Sequence, residues 1–165
     1  MIFIGQDNGC TGSIAILGLP DGPRYYSTPV FEYYSYQKAK TRIHRIDVPK
    51  LKELYRALVG DSLGHLMIER PMVMPARFAA TVSALRSYEA SLIAAEEALP
   101  NCSIETIDSR VWQKRFLPIG AKGPELKVAS MQRGCELFPQ FREMIGKRKE
   151  ADALLIAEHC RKEHS

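Results

Sequence analysis

A chain of 165 residues that is 45% hydrophobic can bury a sizeable core, which excludes global disorder. Its formal net charge of +4 permits a nucleic-acid partner without demanding one. No run approaches the roughly 18 apolar residues of a membrane span, and no basic leader precedes a long apolar stretch, so the expected setting is reducing and cytoplasmic.

The chain opens on an apolar run, "IFIGQ", that reads as a buried strand ending at Asp7. A tight turn through Asn8, Gly9, Thr11 and Gly12 returns it as a second, antiparallel strand, "SIAIL". "GLPDG" is a turn, and "RYYSTPVFEYY", residues 24–34, has the β-rich composition of a third strand. "QKAKTRIHR", residues 37–45, is polar and basic and reads as a loop or edge. From Val48, Leu51, Leu54, Leu58 and Val59 share one helical face, with Pro49 near the helix start. "HLMIER" then reads as a short parallel strand ending at Glu69.

Residues 77–99 form the most helical segment, with Phe78, Val82, Leu85, Tyr88, Leu92 and Leu99 recurring at helical spacing among many alanines. That face suits either the protomer's own core or a dimer seam. "NCSIETI" is a further strand, and "DSRVWQKRF" a short helix with Asp108 or Ser109 as its cap. After the loop "PIGAKGP" comes an amphipathic helix that stops before Pro139. The last helix starts near Lys149 and carries Ala151, Leu154, Leu155 and Ile156. This order predicts one α/β domain over residues 1–165, with a mixed sheet whose N-terminal strands are antiparallel and whose flanks are helical.

Four widely separated cysteines offer neither a disulfide framework nor zinc-site spacing. Residues 110–149 hold ten bases against three acids. That excess suits a solvated helical face or a phosphate-binding one.

Asp7, Glu69 and Asp152 stand in unusual contexts: the first two end apolar strands, and the third lies in the apolar helix "EADALLIA". Local explanations exist for each. Asp7 can cap its turn, Glu69 can pair with Arg70, and Asp152 can sit at a helix start. Yet a carboxylate at a buried strand end is costly without a partner or a cation. Gathered together, the three would bind a hard cation such as Mg²⁺.

"IGQDNGCTGSIAIL", "MIERP" and "EADALLIA" resemble the acidic motifs of the RuvC-like Holliday junction resolvases, phage-type or bacterial, within the RNase H-like superfamily. "DSRVWQKRFLPIGAKG" followed by "LKVASMQRGCELFP" resembles the matching later region, so the likeness spans most of the chain. It implies an RNase H-like fold and a homodimeric endonuclease that nicks four-way and other branched DNA symmetrically, using Mg²⁺ or Mn²⁺. It implies two cations about 3.5–4 Å apart around the scissile phosphate, and products with 5′-phosphate and 3′-hydroxyl ends. Asp7, Glu69 and Asp152 match the first, second and last family acids. Where the family has a further acid or a histidine, three or four positions before the last, this chain has Lys149 and Arg148, with Glu150 as a substitute ligand or Lys149 as a phosphate contact. Lys122 and Lys127, then Arg70 and Arg77, are the expected phosphate contacts. The expected setting narrows to a nucleoid or a phage-infected cell. Two other readings stay open: a branched-DNA-binding module that does not cut, and an ATP-binding protein of the actin and sugar-kinase type, whose phosphate loop "DNGCT" also resembles.

Overall fold

A computed structural model describes residues 1–34 and 42–165. Strand β1 (Ile2–Gln6) pairs antiparallel with β2 (Ser13–Leu17), and β3 (Arg24–Ser27) extends the meander. The single strand expected over residues 24–34 is two. Thr28 and Pro29 end β3, and β4 (Val30–Tyr34) leaves the main sheet to pair with β5 (Arg42–Ile46) in a separate hairpin. Pro29 donates no backbone hydrogen bond, which suits a strand break. The polar segment "QKAKTRIHR" therefore carries a strand from Arg42 onward, while its first five residues lie outside the described ones.

Helix α1 (Val48–Leu58) is capped by the Asp47 side chain, which accepts the Lys50 backbone N–H at 3.2 Å. Beyond it β6 (Gly64–Glu69) pairs parallel with β1, and after α2 (Phe78–Ala98) β7 (Cys102–Ile107) pairs parallel with β6. The main sheet thus runs β3-β2-β1-β6-β7. Four further helices follow: α3 (Ser109–Phe116), α4 (Pro124–Leu137), α5 (Arg142–Arg148) and α6 (Asp152–His164).

The two faces of the sheet are covered differently. Ile2, Ile4, Ile14, Ile16, Leu66 and Ile68 meet α1 and α2 on one side. Phe3, Ala15, Leu17, Met67 and Ile107 meet Trp112 and the apolar run of α6 on the other. Helix α6 crosses β1 so closely that a Cβ on Gly5 would overlap Ala157 N and Ala153 O. The final helix begins at Asp152 rather than near Lys149. Lys149 instead ends α5 in the left-handed conformation (φ 60°), so the chain turns before restarting.

In helix α2 the bulky apolar face does not serve as the protomer's core. Thr81, Ser87, Ser91, Ala94, Ala95 and Ala98 are the buried residues, while Phe78 (75% exposed), Leu85 and Ile93 face outward. Small side chains let α2 lie close to its neighbours, so the bulky ones occupy the opposite face. Tyr88 and Leu92 pack against the core only partly, and Leu99 is buried just past the helix end.

Candidate active site

Strand alternation decides where the acids point. In β1, Ile4 and Gln6 face α1 and α2, so Gly5 and the next residue but one, Asp7, face α6. Gln6 pairs in register with Ile68, which sets Asp7 beside Glu69. Ile68 belongs to the α1–α2 side, so Glu69 also faces α6. Asp152 opens α6 on that same side. Two adjacent parallel strand ends and one helix start thus bring the three acids to one corner, where their charges act on one another.

Each acid has its own support. Trp112 donates its indole N–H to Glu69 Oε2 at 2.8 Å, and Ser130 on α4 donates to Asp152 Oδ1. Asp7 donates its backbone N–H to Ser13 O at 3.0 Å, which closes the turn behind it. The turn is tight: a Cβ on Gly12 would overlap Asp7 O, and Gly9 takes φ 122°.

Glu150 is tied down on every side. Its Oε1 accepts from Tyr25 OH at 2.8 Å and from Arg148 Nε at 2.7 Å, and its Oε2 accepts the Asp152 backbone N–H at 3.0 Å. It therefore orients the start of α6 with both oxygens engaged. Arg148 also donates to Gly12 O at 2.8 Å and to Ser27 Oγ, and its guanidinium lies over the Tyr25 ring. This arginine clamps the turn after Asp7 to the segment before Asp152.

The electrostatics are lopsided. Burial, then the charges of Asp152, Glu69 and Glu150, push the Asp7 carboxyl well above its ordinary range, with Arg148 pulling the other way. Burial raises Glu69 to about 7; the Trp112 bond opposes this and Asp152 adds to it. Burial raises Asp152 as well, against the Ser130 bond and Lys127, and with Glu150. Carboxyls held this reluctantly ionised suit a bound cation, which would relieve both the desolvation and the mutual repulsion. Their oxygen-only donor set fits a hard divalent ion. One oxygen from each of the three acids does not bring all three within 4.8 Å of one another.

The expected basic residues spread around this corner. Lys127 acts on Asp152 from the first turns of α4, and exposed Lys122 precedes that helix in a loop bounded by Gly120 and Gly123, both at positive φ. Arg77 lines a shallow cleft of about 230 Å³ with Glu69, Asn8, Met72, Met74 and Thr81. Arg70 is exposed and held sideways by Thr106 at 3.0 Å, with Asp108 at 3.8 Å. Lys149 is exposed beside the site. Sequence reading gave no role to Trp112, Ser130 or Tyr25, and treated Arg148 only as a departure. A tryptophan on a short amphipathic helix was the one available signal, because a buried indole needs an acceptor.

A five-stranded mixed sheet flanked by helices is the RNase H-like fold, as in RuvC. Among solved structures, the chain is similar to T. thermophilus RuvC in complex with Holliday junction substrate. That likeness has a TM-score of 0.54 and 13% identity, over 95% of this chain and 90% of that one. No protein-family model matches the sequence, and no curated protein matches it.

Proposed function

We propose that the protein is a divalent-metal-dependent endonuclease that resolves four-way and other branched DNA junctions by paired symmetric nicks. The observation that carries this reading is the convergence of Asp7, Glu69 and Asp152, with raised proton affinities, on one corner of the sheet. The likeness to a RuvC in complex with a Holliday junction supports the choice of substrate.

On this reading Asp7, Glu69 and Asp152 hold Mg²⁺ or Mn²⁺, which supplies Lewis acidity and an activated water. Trp112 and Ser130 fix the carboxylates of Glu69 and Asp152 in place. Glu150 orients the backbone of Asp152 and completes the negative charge, while Arg148 keeps the Asp7 turn shut against α6. Lys122, Lys127, Arg77, Arg70 and Lys149 attract the phosphates on either side. Expected products carry 5′-phosphate and 3′-hydroxyl ends.

A four-way junction has two-fold symmetry, so a two-fold dimer can place one site on each opposing strand. The outward Phe78, Leu85 and Ile93 of α2 offer the apolar area for such a pairing. Exposed Met72, Val73 and Met74 lie just past Glu69, close to where the branch point would sit.

A second reading, a module that binds branched DNA without cutting, draws on Glu150, whose oxygens are both engaged, and on Lys149 beside it. One assay separates the two. A labelled four-way junction incubated with the protein and Mg²⁺ or Mn²⁺ should acquire paired nicks, lost in Asp7→Asn and Glu69→Gln. Tight binding with no nicking under either metal supports the binding module and overturns the nuclease.

A further inference from the structure

The opposite end of β6 holds a cluster that the acidic corner does not use. His65, the second residue of β6, faces α6, as its neighbours Phe3 and Met67 do. Glu105 pairs in register with Met67 on the adjoining edge strand β7. His164 descends on the pair from the last turn of α6. One ligand atom from each of the three lies within 4.8 Å of the others. By the rise of a strand, His65 stands roughly 13 Å from Glu69 along β6. By the rise of a helix, His164 stands roughly 18 Å from Asp152 along α6.

We propose that His65, Glu105 and His164 form a binding site for a borderline transition-metal ion of the Zn²⁺ class, separate from the acidic corner. Two imidazoles and one carboxylate are the donor set such ions prefer over Mg²⁺ or Ca²⁺. The arrangement around His65 is that of a supported ligand: its Nδ1 lies 2.6 Å from Ser103 Oγ. A proton on Nδ1 directed at that hydroxyl leaves Nε2 with its lone pair free. His164 Nε2 is buried and lies 3.1 Å from Glu105 Oε1, within ion-pair distance though without an aligned hydrogen bond.

The rings are stacked, with centroids 3.9 Å apart and planes 5° from parallel. Parallel rings aim their lone pairs side by side. A tetrahedral ion needs its ligand atoms roughly 3.3 Å apart, so one ring turns about its Cβ–Cγ bond as the ion enters. His164 lies in the final turn of its helix. Three protein ligands leave a fourth position for water. The ion would clip the end of α6 to β6 and β7, the same helix that begins with Asp152.

The test needs neither DNA nor Mg²⁺, so its failure says nothing of nuclease activity. Calorimetric titration of the full chain with ZnCl2 should show a tight phase of one ion per chain, distinct from any binding at the acidic corner, with a rise in Tm. His164→Ala, His65→Ala and Glu105→Gln should each weaken binding at least about tenfold. Glu105→Gln keeps the shape of the side chain, so its loss of affinity reports on ligation rather than folding. Asp7→Asn and Glu69→Gln should bind as the parent does. No saturable binding, affinity unchanged in all three ligand variants, or loss confined to the Asp7 and Glu69 variants would each overturn the proposal.

Discussion

Gln6 and Asp7 are neighbours in sequence and opposites in circumstance. Gln6 is fully buried on the α1–α2 side, and its amide is satisfied: it donates to Ser91 Oγ at 2.8 Å and accepts from Tyr55 OH at 2.6 Å. Asp7 faces α6, where burial first and then three other carboxylates raise its proton affinity and Arg148 opposes them. A buried polar group with neutral partners on both sides is a structural device. A carboxyl crowded by its own kind has an unmet electrostatic demand, and that demand marks a site. One residue of pleat separates the two outcomes.

The sharpest way to break this contrast is to neutralise Asp7. Asp7→Asn should reduce junction nicking by about 10²–10³-fold or more while leaving the protein folded, read by nicking rate beside circular dichroism. An active Asp7→Asn enzyme would place the chemistry elsewhere.

Next in size is the pH dependence of the metal-free protein. Glu69 binds its proton in the folded state up to about pH 7, whereas its ordinary value is 4.5. Between those values the folded state holds a proton that the unfolded state has released. Stability therefore falls as pH rises from about 5 to 8, by on the order of 2–3 kcal/mol from this group. Denaturant titrations in a chelator should show the fall, and Glu69→Gln should flatten it. Stability that rises across the same window would contradict the burial assigned to Glu69.

Gln6→Leu tests the other half of the comparison. It leaves Tyr55 OH and Ser91 Oγ without their partner and should cost about 1–3 kcal/mol in urea unfolding. Nicking by the folded fraction should be unchanged; a large loss of rate would show that Gln6 belongs to the site.

Trp112→Phe removes one hydrogen bond to Glu69 and should slow nicking about tenfold. The Trp112 bond lowers the proton affinity of Glu69, so its loss should also move the acid limb of the pH–rate profile upward. A slower enzyme with an unmoved profile would reduce Trp112 to packing. The smallest effect belongs to Lys127→Ala. It should weaken junction binding a few-fold at moderate salt and reduce the slope of log affinity against log salt by about 0.9. An unchanged slope would move the DNA surface away from α4.

Much of this molecule was legible in its residues. Short apolar runs bounded by turns marked β1, β2 and β6, "NCSIETI" read as a further strand, and the order of elements gave the mixed sheet. Asp7, Glu69 and Asp152 stood out because each interrupts or ends an apolar stretch, where a charge is expensive. These are local signals, carried by a period of two or 3.6 residues and by the cost of burying charge.

Other features depend on contacts between residues distant in the chain, and only the tertiary structure decided them. Bulk left Phe78 and Leu85 to face either the core or a dimer seam. The close approach of α2 selected its alanines and serines instead, because helix separation, not hydrophobicity alone, sets which side chains fit. The groups that support the acidic corner, Trp112 on α3, Ser130 on α4 and Arg148 at the end of α5, come from three separate elements that meet only once the sheet is covered. His65, Glu105 and His164 span most of the chain and gave no pattern along it. A sequence states what each residue can do, and the register of two parallel strands under one crossing helix determines which of them do it together.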